Sequence, residues 1–165
     1  MQEGLLIARL VIGLLMAGHG AQKAFGWFGG YGLDGTGGFF ESLGFRPGRL
    51  FAAAAAYGEI VSGLLIAAGL FGPAGPALML SIMIVAAVSV HWKQGLFAAS
   101  NGIEVPLLYA TAAVALALTG PGRISLDALL GLERISTPLV AVAALIAGAA
   151  AGLANLALRR TPSAA

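Results

Sequence analysis

Four long apolar runs divide the chain, at residues 4–25, 50–71, 74–93 and 137–158. Each is about as long as the ~20 residues an α-helix needs to cross ~30 Å of hydrocarbon. A fifth run, residues 105–119, reaches spanning length only if Ile103, Glu104 and Gly120 are counted at its ends, and predicts a tilted or partly buried helix. The breaks are helix-ending ones: Gly72-Pro73-Ala74-Gly75-Pro76 forms a tight turn before the third run, and Thr119-Gly120-Pro121-Gly122 stops the short one. The expectation is an all-α membrane protein. Residues 1–130 form a four-helix transmembrane bundle, residues 131–160 add a fifth, C-terminal transmembrane helix, and residues 161–165 make a frayed tail. A cleaved leader would need a basic start and a small-residue cleavage site. Here Glu3 precedes any basic residue and the first run ends in His19, Gln22 and Lys23, so it is expected to stay as helix 1.

After the first run the pattern dissolves into glycine, seven of the thirteen residues between Gly26 and Gly38. Gly30-Tyr31-Gly32-Leu33-Asp34-Gly35 matches G-x-G-x-x-G, but a dinucleotide fingerprint sits between a strand and a helix, and a membrane helix precedes this one. The glycines instead suit a loop folded back against helix ends, with Trp27, Phe28 and Tyr31 in the interfacial zone favoured by aromatic rings. Thr36 offers an N-cap, Phe39, Phe40 and Leu43 an apolar stripe, and Gly44 a C′ stop, predicting a short interfacial helix over residues 36–44.

Composition sharpens this picture. The chain is 59% hydrophobic and 10% charged, against roughly 25% charged in soluble domains, which disfavours a soluble bundle. With no cysteine, disulfides and thiolate chemistry are excluded. The net charge of +2 gives no footprint for nucleic acid, so the basic residues are read as topology signals. If all five segments cross, Lys23, Arg46, Arg49, Lys93, Arg159 and Arg160 lie on one side and Arg9, Arg123 and Arg134 on the other. Six against three makes the first side cytoplasmic, with the C-terminus inside.

Candidate chemistry lies where polar residues interrupt the runs. His19, Gln22 and Lys23 share one helical face at i, i+3 and i+4. Glu59 sits some nine residues into the second long run, roughly 13 Å along a helix, a costly depth for a carboxylate. Ala55, Gly63 and Ala67 share its face, a small-residue stripe that allows close helix packing. His91, Trp92 and Lys93 close the third run, and Glu104 with Pro106 opens the short one. Helix direction brings His19, Lys23, Glu59, His91 and Glu104 into one half of the membrane, with no comparable set in the other. The alternatives are a functional site under the Gly-rich segment or two helix-end ion pairs, Glu59 with Lys23 and Glu104 with His91.

Paired His and Glu suit proton transfer near neutral pH, and a quinone needs protons at its carbonyl oxygens and an apolar slot for its tail. On this reading His19 and His91 exchange protons, Glu59 fixes their charge, and Lys23, Gln22, Trp27, Phe39, Phe40, Trp92 and Glu104 surround the ligand. An anionic solute would instead use His19, Lys23, His91 and Arg46 as counter-charges. No metal site is expected, because no H-x-x-x-H or E-x-x-H spacing occurs. No motif for flavin, haem or an iron–sulfur cluster is recognisable, so electrons must come from a substrate or another subunit.

An ordered set of pieces also resembles the DoxX family. It comprises Arg9-Leu10, Gly18-His19-Gly20 with Gln22-Lys23, Gly37-Gly38-Phe39-Phe40 with Ser42-Leu43-Gly44, Glu59, His91, Glu104 with Pro106, and Thr119-Gly120-Pro121-Gly122 before Ser125-Leu126-Asp127. The likeness covers about residues 4–130. It implies a small four-helix protein of the bacterial plasma membrane, similar to the DoxD subunit of thiosulfate:quinone oxidoreductase. It also implies a redox-linked, quinone-facing role, with a superoxide-detoxifying or thiol-handling partner protein, or a homo-oligomer. The fifth helix departs from a minimal member. Three functions follow: a quinone-linked oxidoreductase subunit, a non-catalytic scaffold for an oxidative-stress complex, and a small-solute transporter, the last disfavoured by the scarcity of polar groups in the far half.

Overall fold

The structure is a computed structural model in which residues 1–160 are described; the expected frayed tail, residues 161–165, lies outside them. Among the described residues helices are the only regular elements, with no strand, and four of them are long and apolar enough to cross a membrane. These are α1 (Gln2–Phe25), α3 (Gly48–Ala68), the helix that starts as α4 (Ala74–Ala86) and runs on to Gln94, and α7 (Pro138–Ala157). The short apolar helix α5 (Glu104–Thr119) completes the bundle. Two smaller helices, α2 (Gly32–Ser42) and α6 (Leu126–Leu130), cap its two ends.

Small residues set the packing. A Cβ placed on Gly13 would strike the backbone of Gly63 and Ala67, and one on Gly20 the backbone of Ala56 and Ile60. Late residues of α1 thus meet early residues of α3, and the two helices cross antiparallel at backbone distance, as small-residue faces permit. On the other side Gly148 and Gly152 of α7 press against Ala77 and Ser81 of α4, so these two helices run parallel. Between the layers Met16, Ile66, Met79, Met83, Tyr109 and Leu116 form the buried core.

The short helix begins earlier than its sequence suggests. Tyr31 precedes it, and Thr36, expected as its N-cap, lies buried inside it. Buried Gly37 explains this, because its backbone meets that of Arg49 and Gly48 and the helix is seated by packing, without a capping side chain. Its end is as expected. Gly44 at φ +94° donates to the Glu41 carbonyl at 2.9 Å and Phe45 to the Phe40 carbonyl at 3.0 Å, a Schellman closure.

Both ends of the bundle are tied. At the α2 end, the Arg160 amide donates to the Gly44 carbonyl at 2.8 Å and the Arg159 guanidinium to the Leu43 carbonyl, placing the end of α7 beside the α2–α3 junction. At the other end the expectation of no notable polar set fails. Arg9 and Asp127 are 2% and 0% exposed. Arg9 donates to the Pro121 carbonyl at 2.6 Å, and Asp127 accepts from the Phe71 and Gly72 amides at 2.9 and 2.6 Å. These bonds staple the α3–α4 turn and the segment after α5 to α1.

Candidate functional site

The polar residues of the α2 end converge because of helix direction. α1 brings Gln22 and Lys23 to its last turn, α3 enters antiparallel and carries Glu59 past them, and α4 delivers Ser89 and His91 at its far end. The last turn of that helix is not α. Residues Ala87–His91 make a π turn, a feature common at functional sites, within which the Ser89 hydroxyl donates back to the Val85 carbonyl at 2.6 Å.

Glu59 is 4% exposed, and both its oxygens accept from the Lys23 ammonium, at 2.7 and 2.6 Å. A carboxylate at this depth needs such a partner. Ser62, fully buried on the same face, donates to the Glu59 carbonyl at 3.2 Å. Lys23 retains 29% side-chain exposure, and that exposure is to a cavity.

The cavity, about 840 Å³, lies against α3 between α2 and α4. Of the sequence-derived site residues it gathers Lys23, Glu59, His91, Gln22, Phe39 and Phe40 in its wall. The Gly-rich turn forms part of the rim. Gly30 packs on the Gln22 backbone where a Cβ could not fit, and the Gln22 amide donates to the Phe28 carbonyl at 3.3 Å. The cavity is mostly carbon-lined, by side chains such as Phe51, Ala55, Leu78 and Ile82, with the hydroxyls of Thr36, Ser81 and Ser89 and the Asn155 amide as scattered polar groups.

Four candidates fall outside that wall. His19 is exposed on the flank of α1; its Nδ1 lies 3.2 Å from Gln22 Oε1, and its ring meets Tyr109 edge-on at 5.8 Å. Trp27 packs beside Phe25 at the surface, and Trp92 is exposed. Glu104 does not pair with His91. Its carboxylate accepts from the Ala98 amide at 2.7 Å, while His91 Nδ1 lies 2.7 Å from the Asn101 carbonyl. The intervening loop folds back on itself through bonds from the Ile103 and Glu104 amides to the Gly95 and Leu96 carbonyls, and each side chain finds a nearer partner there. Sequence reasoning missed Ser81 and Asn155, because neither residue type signals anything in an apolar run until the packing of α4 on α7 is known.

The DoxX family profile matches residues 4–92. No curated protein and no solved structure matches the chain.

Proposed function

The chain belongs to the DoxX family, and from that premise we propose that it is the quinone-binding membrane subunit of a redox system. One observation carries the reading. A lysine ammonium has three hydrogens, and Lys23 gives two bonds to Glu59 and no other to any described residue. The third hydrogen is free for a ligand in the carbon-lined cavity. Because the pair is already neutral as a unit, the fitting ligand is an uncharged hydrogen-bond acceptor on an apolar body. A quinone carbonyl meets that description; an anionic solute would bring its charge against Glu59.

Reducing a quinone to a quinol adds two electrons and two protons. In this proposal Lys23 donates to one carbonyl oxygen and hands over that proton as the ring is reduced, the second proton reaches the other carbonyl oxygen from water admitted at the cavity mouth, and Glu59 holds the amine in place. His91, at the cavity mouth and half-buried, exchanges protons with water and returns the pair to its starting charge. The electrons come from a partner redox protein or a small reductant such as thiosulfate. His19 takes no direct part here, since it lies outside the cavity wall. The plasma membrane, with the α2 end on the cytoplasmic side, is the setting proposed.

Protein purified from membranes in mild detergent is expected to carry quinone extractable with organic solvent, and the Lys23→Met variant to carry little. Preparations free of quinone that also fail to bind added quinone would overturn the reading.

A further inference from the structure

The quinone reading leaves open how a long-tailed molecule reaches Lys23, and the packing around the cavity bears on that. α2 and α4 each lie against α3 but make no comparable contact with one another. The α3 surface between them is left uncovered. Ala54 lines the cavity and is at the same time exposed, although it sits six residues into α3, roughly 9 Å from its start. On the opposite lip Phe39 of α2 is 48% exposed. The cavity wall along α4 extends from Leu78 to His91, thirteen residues or roughly 18–20 Å of helix. It is therefore a trough running along the bilayer depth. Beyond the paired Lys23 and Glu59, its wall carries no titratable side chain except Tyr31 and His91 at the rim.

We propose that this trough opens sideways to the lipid between α2 and α4, that a long-tailed neutral quinone reaches Lys23 through that gap, and that the small side chain of Ala54 keeps the gap clear. The inference rests on the quinone reading and adds to it a route and a determinant of tail preference. The head lies at Lys23 and the tail leaves across Ala54 and Phe39 into the bilayer. Residence in the gap makes Ala54 a selector for tail as well as a threshold.

The test uses the full chain in lipid nanodiscs, labelled by a short-tailed azidoquinone photoprobe. Labelling is competed either by an isoprenoid-tailed ubiquinone or by the tail-less dimethoxymethylbenzoquinone. Ala54→Phe is expected to weaken the tailed competitor about tenfold relative to the tail-less one, a difference of about 1.4 kcal/mol. Leu64→Phe, on a part of α3 outside the trough and similarly exposed, is expected to leave both competitors unchanged. If Ala54→Phe does not accumulate in folded form, Phe39→Trp narrows the same gap from α2 and is read in the same way. Equal weakening of the two competitors, or weakening of neither, overturns lateral access while leaving quinone binding intact. Absence of any competed labelling on the unmodified chain overturns the quinone reading, and the route falls with it.

Discussion

Lys23 and Glu59 share a bond tight enough that removing either partner strands the other. In Glu59→Gln the ammonium loses its counter-charge in a mostly apolar wall. Breaking a buried pair costs about 3–5 kcal/mol, and the 29% exposure of Lys23 argues for the lower end. Adding Lys23→Met removes the stranded charge and is expected to restore most of the thermal stability measured in detergent. Quinone binding should not return, because the methionine offers no donor. Recovery of both stability and binding would reduce the pair to a structural bridge. At the other end, Asp127 is a residue whose role is structural. It satisfies two backbone amides of the α3–α4 turn and faces Arg9. Asp127→Ala leaves those two amides without an acceptor, at about 1–3 kcal/mol for each buried group left unpaired, and takes the nearby counter-charge from a guanidinium that keeps its bonds to the Pro121 and Ile124 carbonyls. A large fall in melting temperature with quinone affinity of the surviving folded protein unchanged is expected; an unchanged melting temperature would show the staple to be dispensable.

Among the helices, glycines that look alike in sequence do different jobs. Gly13 and Gly20 sit at the α1–α3 crossing, whereas a Cβ on Gly18 meets nothing within 4 Å. Gly13→Ala must push two backbones apart and is expected to destabilise the chain. Gly18→Ala should stabilise it by roughly 0.5–1 kcal/mol through helix propensity alone, and thermal melts of the two variants should move in opposite directions. The helices themselves were legible because a run of about 20 apolar residues has few other solutions, and helix direction alone was enough to bring Lys23 to Glu59. What the chain could not disclose was partner choice at short range. The His91–Glu104 pairing looked natural from two helix ends, yet the loop bearing Asn101 and Ala98 supplies closer partners. Likewise Thr36 resembled a cap until the backbone packing of Gly37 on α3 set the start of α2. The π turn that carries His91 leaves no mark in the pattern of apolar residues. The small-residue face of α7 is likewise used inside the chain, since Gly148 and Gly152 are covered by α4.

For the molecule as a whole, the two tied ends fix which residues share a side. Lys23, Arg46, Arg49, Lys93, Arg159 and Arg160 fall at the α2 end, and Arg123 and Arg134 at the α6 end. Arg9 drops out of the charge comparison, because its guanidinium is buried against the Pro121 and Ile124 carbonyls. The bias of basic residues toward the α2 end is thus steeper than the sequence count alone gives, and by the positive-inside rule it supports the proposed cytoplasmic placement of that end. The crossing to test is that of α5, whose sixteen residues span roughly 24 Å, short of a typical ~30 Å core. The absence of native cysteine makes the arrangement directly readable with single cysteines and a membrane-impermeant maleimide. Glu133→Cys, after α5, is expected to label in intact cells, and Ala99→Cys, before it, only after permeabilisation. The reverse pattern would invert the orientation and move the cavity mouth, with His91, to the external side. Labelling of both from the same side would mean that α5 does not cross, leaving the α6 end and the α2 end in one compartment, which the staple between Arg9 and the segment after α5 forbids while the fold is intact.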